Sequence, residues 1–372
     1  MDFIWEGISL IKPGMLVMYL IGGLLIFLGI KKKLEPALLI PMGFGAILVN
    51  LPLSGVMGNS GIIEWMFKVG IEMSEAMPLL LFIGIGAMID FGPLLSNPKL
   101  ILFGGAAQFG IFITIVFVMI LGNFGLDFSL NDAASIGIIG AADGPTAIMV
   151  ANTLQSKYLG AIMVAAYSYM ALVPMIQPRV IKMITTKKER MIRMEYNPKN
   201  VTKTTKILFP IFVTIIAGLI APASVSLVGF LMFGNLIREC GVLDSLSKTA
   251  QDGLANLITL LLGITIAFSM HYEAFVTLNT LVIMVLGLFA FVFDTVGGVM
   301  FAKFLNLFLK KKINPMIGAS GISAFPMSAR VIQKLGLEED PENHLLMHAI
   351  STNVSGQIAS VVAGGLLLSF LI

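Results

Sequence analysis

Gly140-Ala141-Ala142-Asp143-Gly144-Pro145-Thr146 and Asn314-Pro315-Met316-Ile317-Gly318-Ala319-Ser320-Gly321-Ile322-Ser323-Ala324-Phe325-Pro326 decide how this chain is built. Each sits in an apolar stretch, and each is rich in helix breakers and small polar residues where lipid-facing sequence holds neither. Irregular backbone at membrane depth survives only where protein buries it or where it lines a polar cavity. Paired interruptions in corresponding places mark the ion and substrate site of a transporter. Outward from these stretches, the chain reads as an all-α polytopic membrane protein of inverted repeats, with two broken, re-entrant helical segments at 133–154 and 313–335.

Composition agrees. Of 372 residues, 57% are hydrophobic and 12% charged, against roughly 25% charged in ordinary soluble domains. The mean hydropathy is +0.94. Long apolar runs favour helices over a β-barrel. The net charge of +3 is small and lies in loops, which points to topology and away from nucleic acid. A single cysteine, Cys240, excludes an internal disulfide and a multi-cysteine metal site. The first apolar run, 13–30, is long for a signal peptide and reads as a retained helix. No stretch has the composition of a soluble catalytic domain, so hydrophilic partners must be other chains.

Roughly 20 apolar residues span a bilayer. Spans are expected near 13–30, 35–53, 76–95, 100–122, 158–178, 207–221, 223–238, 257–270, 277–309 and 345–371. Asp294 and Gly297-Gly298 are expected to divide or kink the long 277–309 stretch. Lys/Arg-rich loops stay cytoplasmic, and three clusters qualify: Lys31-Lys32-Lys33, the segment 179–206 and Lys310-Lys311-Lys312. The middle one holds Arg179, Lys182, Lys187, Lys188, Arg190, Arg193, Lys199, Lys203 and Lys206. It reads as a basic linker between a first membrane half, 1–178, and a second, 207–372. Keeping all three clusters inside requires the broken segments to enter from opposite faces, the inverted-repeat arrangement. A short echo supports this: Ile139-Gly140-Ala141 and Ile317-Gly318-Ala319 match at an offset of 178 (318 − 140).

Asp143 is the sharpest single residue. A carboxylate within an apolar segment is expensive and is a functional hypothesis by default. It also suits the N-cap of a following half-helix, with Pro145 in the first turn, and the two roles are compatible. With the Thr146 hydroxyl and freed carbonyls it would offer hard oxygen ligands; one carboxylate among neutral oxygens suits a monovalent cation. Asn314, Gly318 and Ser323 form a second set, with an ordinary Pro/Gly-kinked helix as the plainer reading. Asn353, in Ser351-Thr352-Asn353-Val354-Ser355, offers an amide oxygen, whereas Ser and Thr there suit helix–helix contacts. Tyr169 is a mid-span phenol needing a partner, a ligand or a proton relay. Arg330 reads either as a buried guanidinium for a carboxylate ligand or as a side chain snorkelling to the interface. Asp90, Asp294, His271 and Glu273 fall near expected span ends and are less favoured.

Four stretches carry a resemblance: 140–148, Tyr167-Ser168-Tyr169-Met170-Ala171-Leu172-Val173-Pro174, Asn314-Pro315-Met316-Ile317-Gly318 with Ser323, and Ser351-Thr352-Asn353-Val354-Ser355-Gly356-Gln357-Ile358. Together, over nearly the whole chain, they resemble the β subunit of the sodium-pumping biotin-dependent decarboxylases, which act on oxaloacetate, methylmalonyl-CoA or glutaconyl-CoA. The resemblance implies a bacterial plasma (inner) membrane protein that decarboxylates carboxybiotin, takes up an external proton and exports sodium ion. It implies as partners a biotin carrier protein, a carboxyltransferase subunit and a small membrane subunit of γ or δ type, together with homo-oligomerisation. By the same resemblance Asp143 would be a sodium ligand and proton acceptor. Asn314, Gly318, Ser323 and Asn353 would belong to the sodium and coupling sites, Tyr169 to a proton relay, and Arg330 to the anionic carboxybiotin. The rival reading is a secondary sodium-coupled organic-anion transporter of the same architecture, which would need no biotinylated carrier.

Overall fold

The computed structural model describes residues 2–58, 61–122, 126, 128–196 and 200–372. Lys199, counted in the basic linker, lies outside the described residues. Among the described residues all regular structure is helical. The chain runs through α1 (Pro13–Lys32), α2 (Pro36–Val49), α3 (Ala76–Met88), α4 (Pro98–Gly122), α5 (Leu130–Gly137), α6 (Gly144–Thr153), α7 (Leu159–Ile184), α8 (Lys203–Ile220), α9 (Val225–Glu239), α10 (Asp244–Met270), α11 (Leu278–Phe308), α12 (Met316–Ala319), α13 (Met327–Glu339) and α14 (Leu346–Leu371). Seven of these, α1, α4, α7, α8, α10, α11 and α14, are long and apolar enough to cross a bilayer. An eighth span arises if Ile62–Glu72 and α3, bent by 66° across a short break, are taken together. The chain is thus an all-α polytopic membrane protein.

Several expected spans change shape. α2 and α9 have 14 and 15 residues, about 21–23 Å of helix, short of a hydrocarbon core of roughly 30 Å. The helix Ile62–Glu72 falls where no span was expected; its sequence is short and carries Glu64, Lys68 and Glu72. α11 is one unbroken helix of 31 residues, neither divided nor stopped at Asp294 or Gly297-Gly298. Those glycines serve contact instead of bending. A Cβ on Gly298 would collide with the Gly318 carbonyl oxygen, and a Cβ on Gly318 would collide with that of Gly298. Close backbone crossing through small residues is how membrane helices pack without a hydrophobic driving force. The Ile-Gly-Ala echo gains a structural meaning here: Gly140 also lies on α11, against Ala290 and Asp294.

The two interruptions form as their sequences require. α5 opens with a reciprocal capping box, Ser129 accepting from the Asp132 N–H and Asp132 from the Ser129 N–H, both at 3.1 Å. It tightens into a 3-10 turn over Ile138–Ala141 and stops at Ala142, whose φ of 52° is left-handed. α6 then restarts at Gly144-Pro145. In the second segment α12 covers one turn, residues 320–326 are not α-helical, and α13 resumes at Met327.

Two helices reach into the basic stretch 179–206. α7 extends to Ile184 and α8 begins at Lys203, so Arg179, Lys182, Lys203 and Lys206 are helical. Between them the chain clasps the far end of α13: Arg190 pairs with Glu339 at 2.7 Å and Arg193 with Asp340 at 2.6 Å. The Arg193 guanidinium beside Asp340 holds that carboxyl below the usual carboxylate range, so the clasp is charged at neutral pH. Lys182 meets Glu338, Lys311 meets Glu195, and Lys33 borders one cleft with Arg330 and Lys334. All three basic clusters therefore gather at one end of the bundle, as the expectation that they share one side of the membrane requires. Arg190 and Glu339 are each only 12% exposed, so Arg190→Ala is expected to cost about 2 kcal/mol by stranding a shielded carboxylate. A thermal melt of the purified protein reads this. Lys311→Ala, which breaks an exposed pair, should leave the melt unchanged.

Candidate functional site

The two broken segments meet: the Ser323 N–H donates to the Ala141 carbonyl at 2.9 Å. Beside this junction lies a cavity of about 230 Å³ lined by Asp143, Tyr167, Ser323 and Gln357 among others. Asp143 is 3% exposed. One of its oxygens accepts hydrogen bonds from the Thr146 hydroxyl at 2.7 Å and the Ser360 hydroxyl at 3.1 Å. Asp143 occupies the N-cap position of α6, yet no side-chain capping bond closes that turn. Its carboxylate meets the two hydroxyls and faces the cavity, and the Thr146 backbone N–H also approaches it, so the cap and the cavity share this side chain.

α14 contributes a polar stripe. Asn353, Gln357 and Ser360 recur at helical spacing and share one face. The Asn353 amide donates to the Ile322 carbonyl at 2.7 Å, and the Gln357 amide donates to the Ser323 carbonyl. Ser323 in turn donates to the Gly356 carbonyl at 3.1 Å. Each bond uses an N–H of its amide, and among the described residues both side-chain oxygens, Asn353 Oδ1 and Gln357 Oε1, are buried without a partner. The Tyr167 hydroxyl is likewise buried and, among the described residues, unpartnered. Buried polar atoms in proteins are nearly always satisfied, and two of these three orphans, Gln357 Oε1 and the Tyr167 hydroxyl, belong to residues that line the cavity with Asp143, which marks a place built for something that supplies charge or hydrogen bonds. Ser351 and Thr352, in contrast, spend their hydroxyls on the α14 carbonyls of Met347 and His348.

The other expected site residues lie elsewhere. The Asn314 amide donates to the Arg190 and Ile192 carbonyls, both at 2.8 Å, and its oxygen accepts the Met316 N–H at 3.0 Å. It ties the linker to the second segment and does not line the cavity. Gly318 makes its close approach to Gly298, not to a ligand. Tyr169 commits its hydroxyl to the Met284 carbonyl, and its ring lies on Gly287. The phenol beside Asp143 is Tyr167, whose ring covers Gly144 so closely that a Cβ there would collide with it. Arg330 is exposed, not buried; it borders an outer cleft with Lys33 and Lys334.

Four contributors escape a reading of the sequence alone. Gln357 and Ser360 are legible only as i+4 and i+7 partners of Asn353. Tyr167 differs from Tyr169 by a helical rotation of about 200° that no local pattern fixes. Asp294 falls near a span end only if the 277–309 stretch divides. In the intact α11 it is fully buried, its Oδ1 accepting the Ile111 N–H at 3.1 Å where α4 breaks after Gln108. Its Oδ2 has no partner among the described residues and lies by Gly140.

Known proteins share this frame. A family model described as Na+-transporting oxaloacetate decarboxylase beta subunit matches residues 14–371. The methylmalonyl-CoA decarboxylase subunit beta of Veillonella parvula is 47% identical over 98% of this chain and 95% of its own length. The glutaconyl-CoA decarboxylase subunit beta of Acidaminococcus fermentans is 47% identical over 96% and 93%. The oxaloacetate decarboxylase beta chain 2 of Salmonella typhi is 42% identical over 98% and 97%. With a match running almost from end to end, the chain belongs to the beta-subunit family of the Na+-transporting decarboxylases.

Proposed function

We propose that this chain is the subunit that decarboxylates carboxybiotin on a partner carrier and uses that step to export sodium across a bacterial inner membrane. The observation that carries the proposal is Asp143, a desolvated carboxylate beside the junction of the two broken segments, in a cavity that Gln357, with its unpartnered oxygen, also lines. One negative charge with neutral oxygens is the donor set of a monovalent hard cation. Sodium would bind to Asp143 with the Asn353 and Gln357 oxygens, while Ser323 holds the second break in place through the Ala141 carbonyl.

Decarboxylation breaks the nitrogen–carbon bond of carboxybiotin, releases CO2 and leaves the ring nitrogen in need of one proton. Tyr167, whose proton is not committed to a protein acceptor, is the group placed to pass it; Asp143 would alternate between proton and sodium. Arg330, with Lys33 and Lys334, would receive the anionic group at the outer cleft. Asn314 and Gly318 act at one remove, by fixing the second segment against the linker and α11. The halves 1–178 and 207–372, moving about the shared site, would give alternating access. Family membership does not favour a free-standing organic-anion transporter. The proposed partners are a biotin carrier, a carboxyltransferase and a small membrane subunit of γ or δ type, in a homo-oligomeric assembly.

The test is CO2 release from a carboxylated carrier as a function of sodium. Asn353→Ala should raise the half-saturating sodium concentration about tenfold, the loss of one ion-ligand contact of roughly 1.4 kcal/mol. CO2 release independent of sodium in the wild type would defeat the proposal.

A further inference from the structure

Glu35 stands where the proposed chemistry has assigned nothing. It is the N-cap residue of α2, yet its side chain makes no capping bond. Its backbone lies at φ 35° and ψ 63°, in the left-handed region that disfavours a side chain. Two residues earlier Lys33 is also left-handed, at φ 54°. Strain that the surrounding fold maintains points from geometry toward function.

Position supplies that function. Glu35 lines the cavity that holds Asp143 and also the outer cleft bordered by Lys33, Arg330 and Lys334. Only Met327 shares this double membership. Among the described residues Glu35 is, apart from Asp143, the sole acid lining either space. It is half-buried, and among the described residues its carboxylate has neither a hydrogen bond nor an ion pair.

The charges at this mouth pose a problem. Three cationic side chains on the rim draw in an anion and repel a cation, and such fields act strongly within a Debye length of about 10 Å. A cation bound for Asp143 must pass them. We propose that Glu35 is the admission residue for that cation: it draws sodium from the cytoplasmic solution past the basic rim and hands it inward to Asp143. Arg330 governs the hand-over. While its guanidinium is free, its field opposes a cation beside Glu35. Once an anionic group pairs with it, that opposition falls and the cation is held more tightly. Linkage makes the effect mutual, so cation at Glu35 favours anion at Arg330. Carboxylate cargo and cation would thus load together. This inference rests on the proposed role of Asp143.

The experiment measures sodium-dependent CO2 release by the reconstituted decarboxylase complex with carboxylated carrier, comparing Glu35→Gln, Glu35→Asp, Glu35→Gly and Asp143→Asn. Glu35→Gln should raise the half-saturating sodium concentration about tenfold, the low end of what a focusing charge contributes, with the maximal rate at high sodium within twofold of wild type. Glu35→Asp keeps the charge and should recover most of the affinity. Glu35→Gly relieves the left-handed backbone and removes the carboxylate, so it should match Glu35→Gln if charge is what matters. An unchanged half-saturation in Glu35→Gln, or a loss of maximal rate alone, overturns the assignment. Sodium-dependent turnover in Asp143→Asn would instead defeat the reading of the inner site on which the assignment rests.

Discussion

Asp143→Asn is expected to abolish sodium-dependent decarboxylation while leaving the protein folded. Asparagine has nearly the same shape, and its oxygen can still accept from Thr146 and Ser360, the two hydroxyls that hold Asp143 at 2.7 and 3.1 Å. What disappears is the only negative charge in the inner cavity away from its mouth. In a desolvated site a charged ligand contact is worth about 3 kcal/mol, so sodium affinity should fall about 100-fold or more. Turnover then falls below detection at sodium concentrations that saturate the wild type. Two measurements separate this from misfolding. The thermal midpoint without sodium should match wild type, and the stabilisation that sodium confers by mass action should vanish. A variant that melts normally and still turns over with sodium would remove Asp143 from the site.

Gly318→Ala is expected to have an effect of similar size by a different route. Its new methyl carbon would collide with the Gly298 carbonyl oxygen, which belongs to the continuous helix α11 and cannot rotate away. α12 must separate from α11, and overpacking of this kind costs about 1–3 kcal/mol. The same displacement moves the backbone up to Ser323, whose N–H holds the Ala141 carbonyl. The expected result is a lowered melting point together with a large loss of turnover that high sodium does not restore. Were Gly318 a point of ligand approach, the melting point would stay and high sodium would rescue the rate.

The fold is legible in the sequence because hydrophobic length and helix breakers are local signals. Apolar runs mark the long helices. Gly140-Ala141-Ala142-Asp143-Gly144-Pro145 and Asn314-Pro315 mark the breaks, since a proline removes a backbone donor and a glycine loosens the chain whatever packs against them. Asp143 is legible for a related reason: its cost in an apolar segment does not depend on neighbours. The division of roles among the remaining residues is not. Asn314 and Asn353 are the same side chain, yet one has both N–H donors taken by the linker and the other keeps an oxygen with no partner among the described residues. Only the fold decides which. Tyr167 and Tyr169 differ by rotation about one helix, and Arg330 differs from a buried arginine by the face of α13 it occupies, since Ala329 and Val331 on either side are buried. Asp294 is misjudged from sequence because Gly297-Gly298 reads as a break but acts as a packing surface against Gly318 and Phe109. Glycine signals both, and the partner helix that distinguishes them is far away in the chain.

The most direct test reconstitutes the complex in liposomes and records CO2 release from carboxylated carrier together with sodium-22 movement, for wild type and Asp143→Asn. The result expected is CO2 release that requires sodium and drives its transport in the wild type, with both silent in Asp143→Asn. Sodium movement tied to an organic anion, with no CO2 released from a carrier shown to be active, would contradict it.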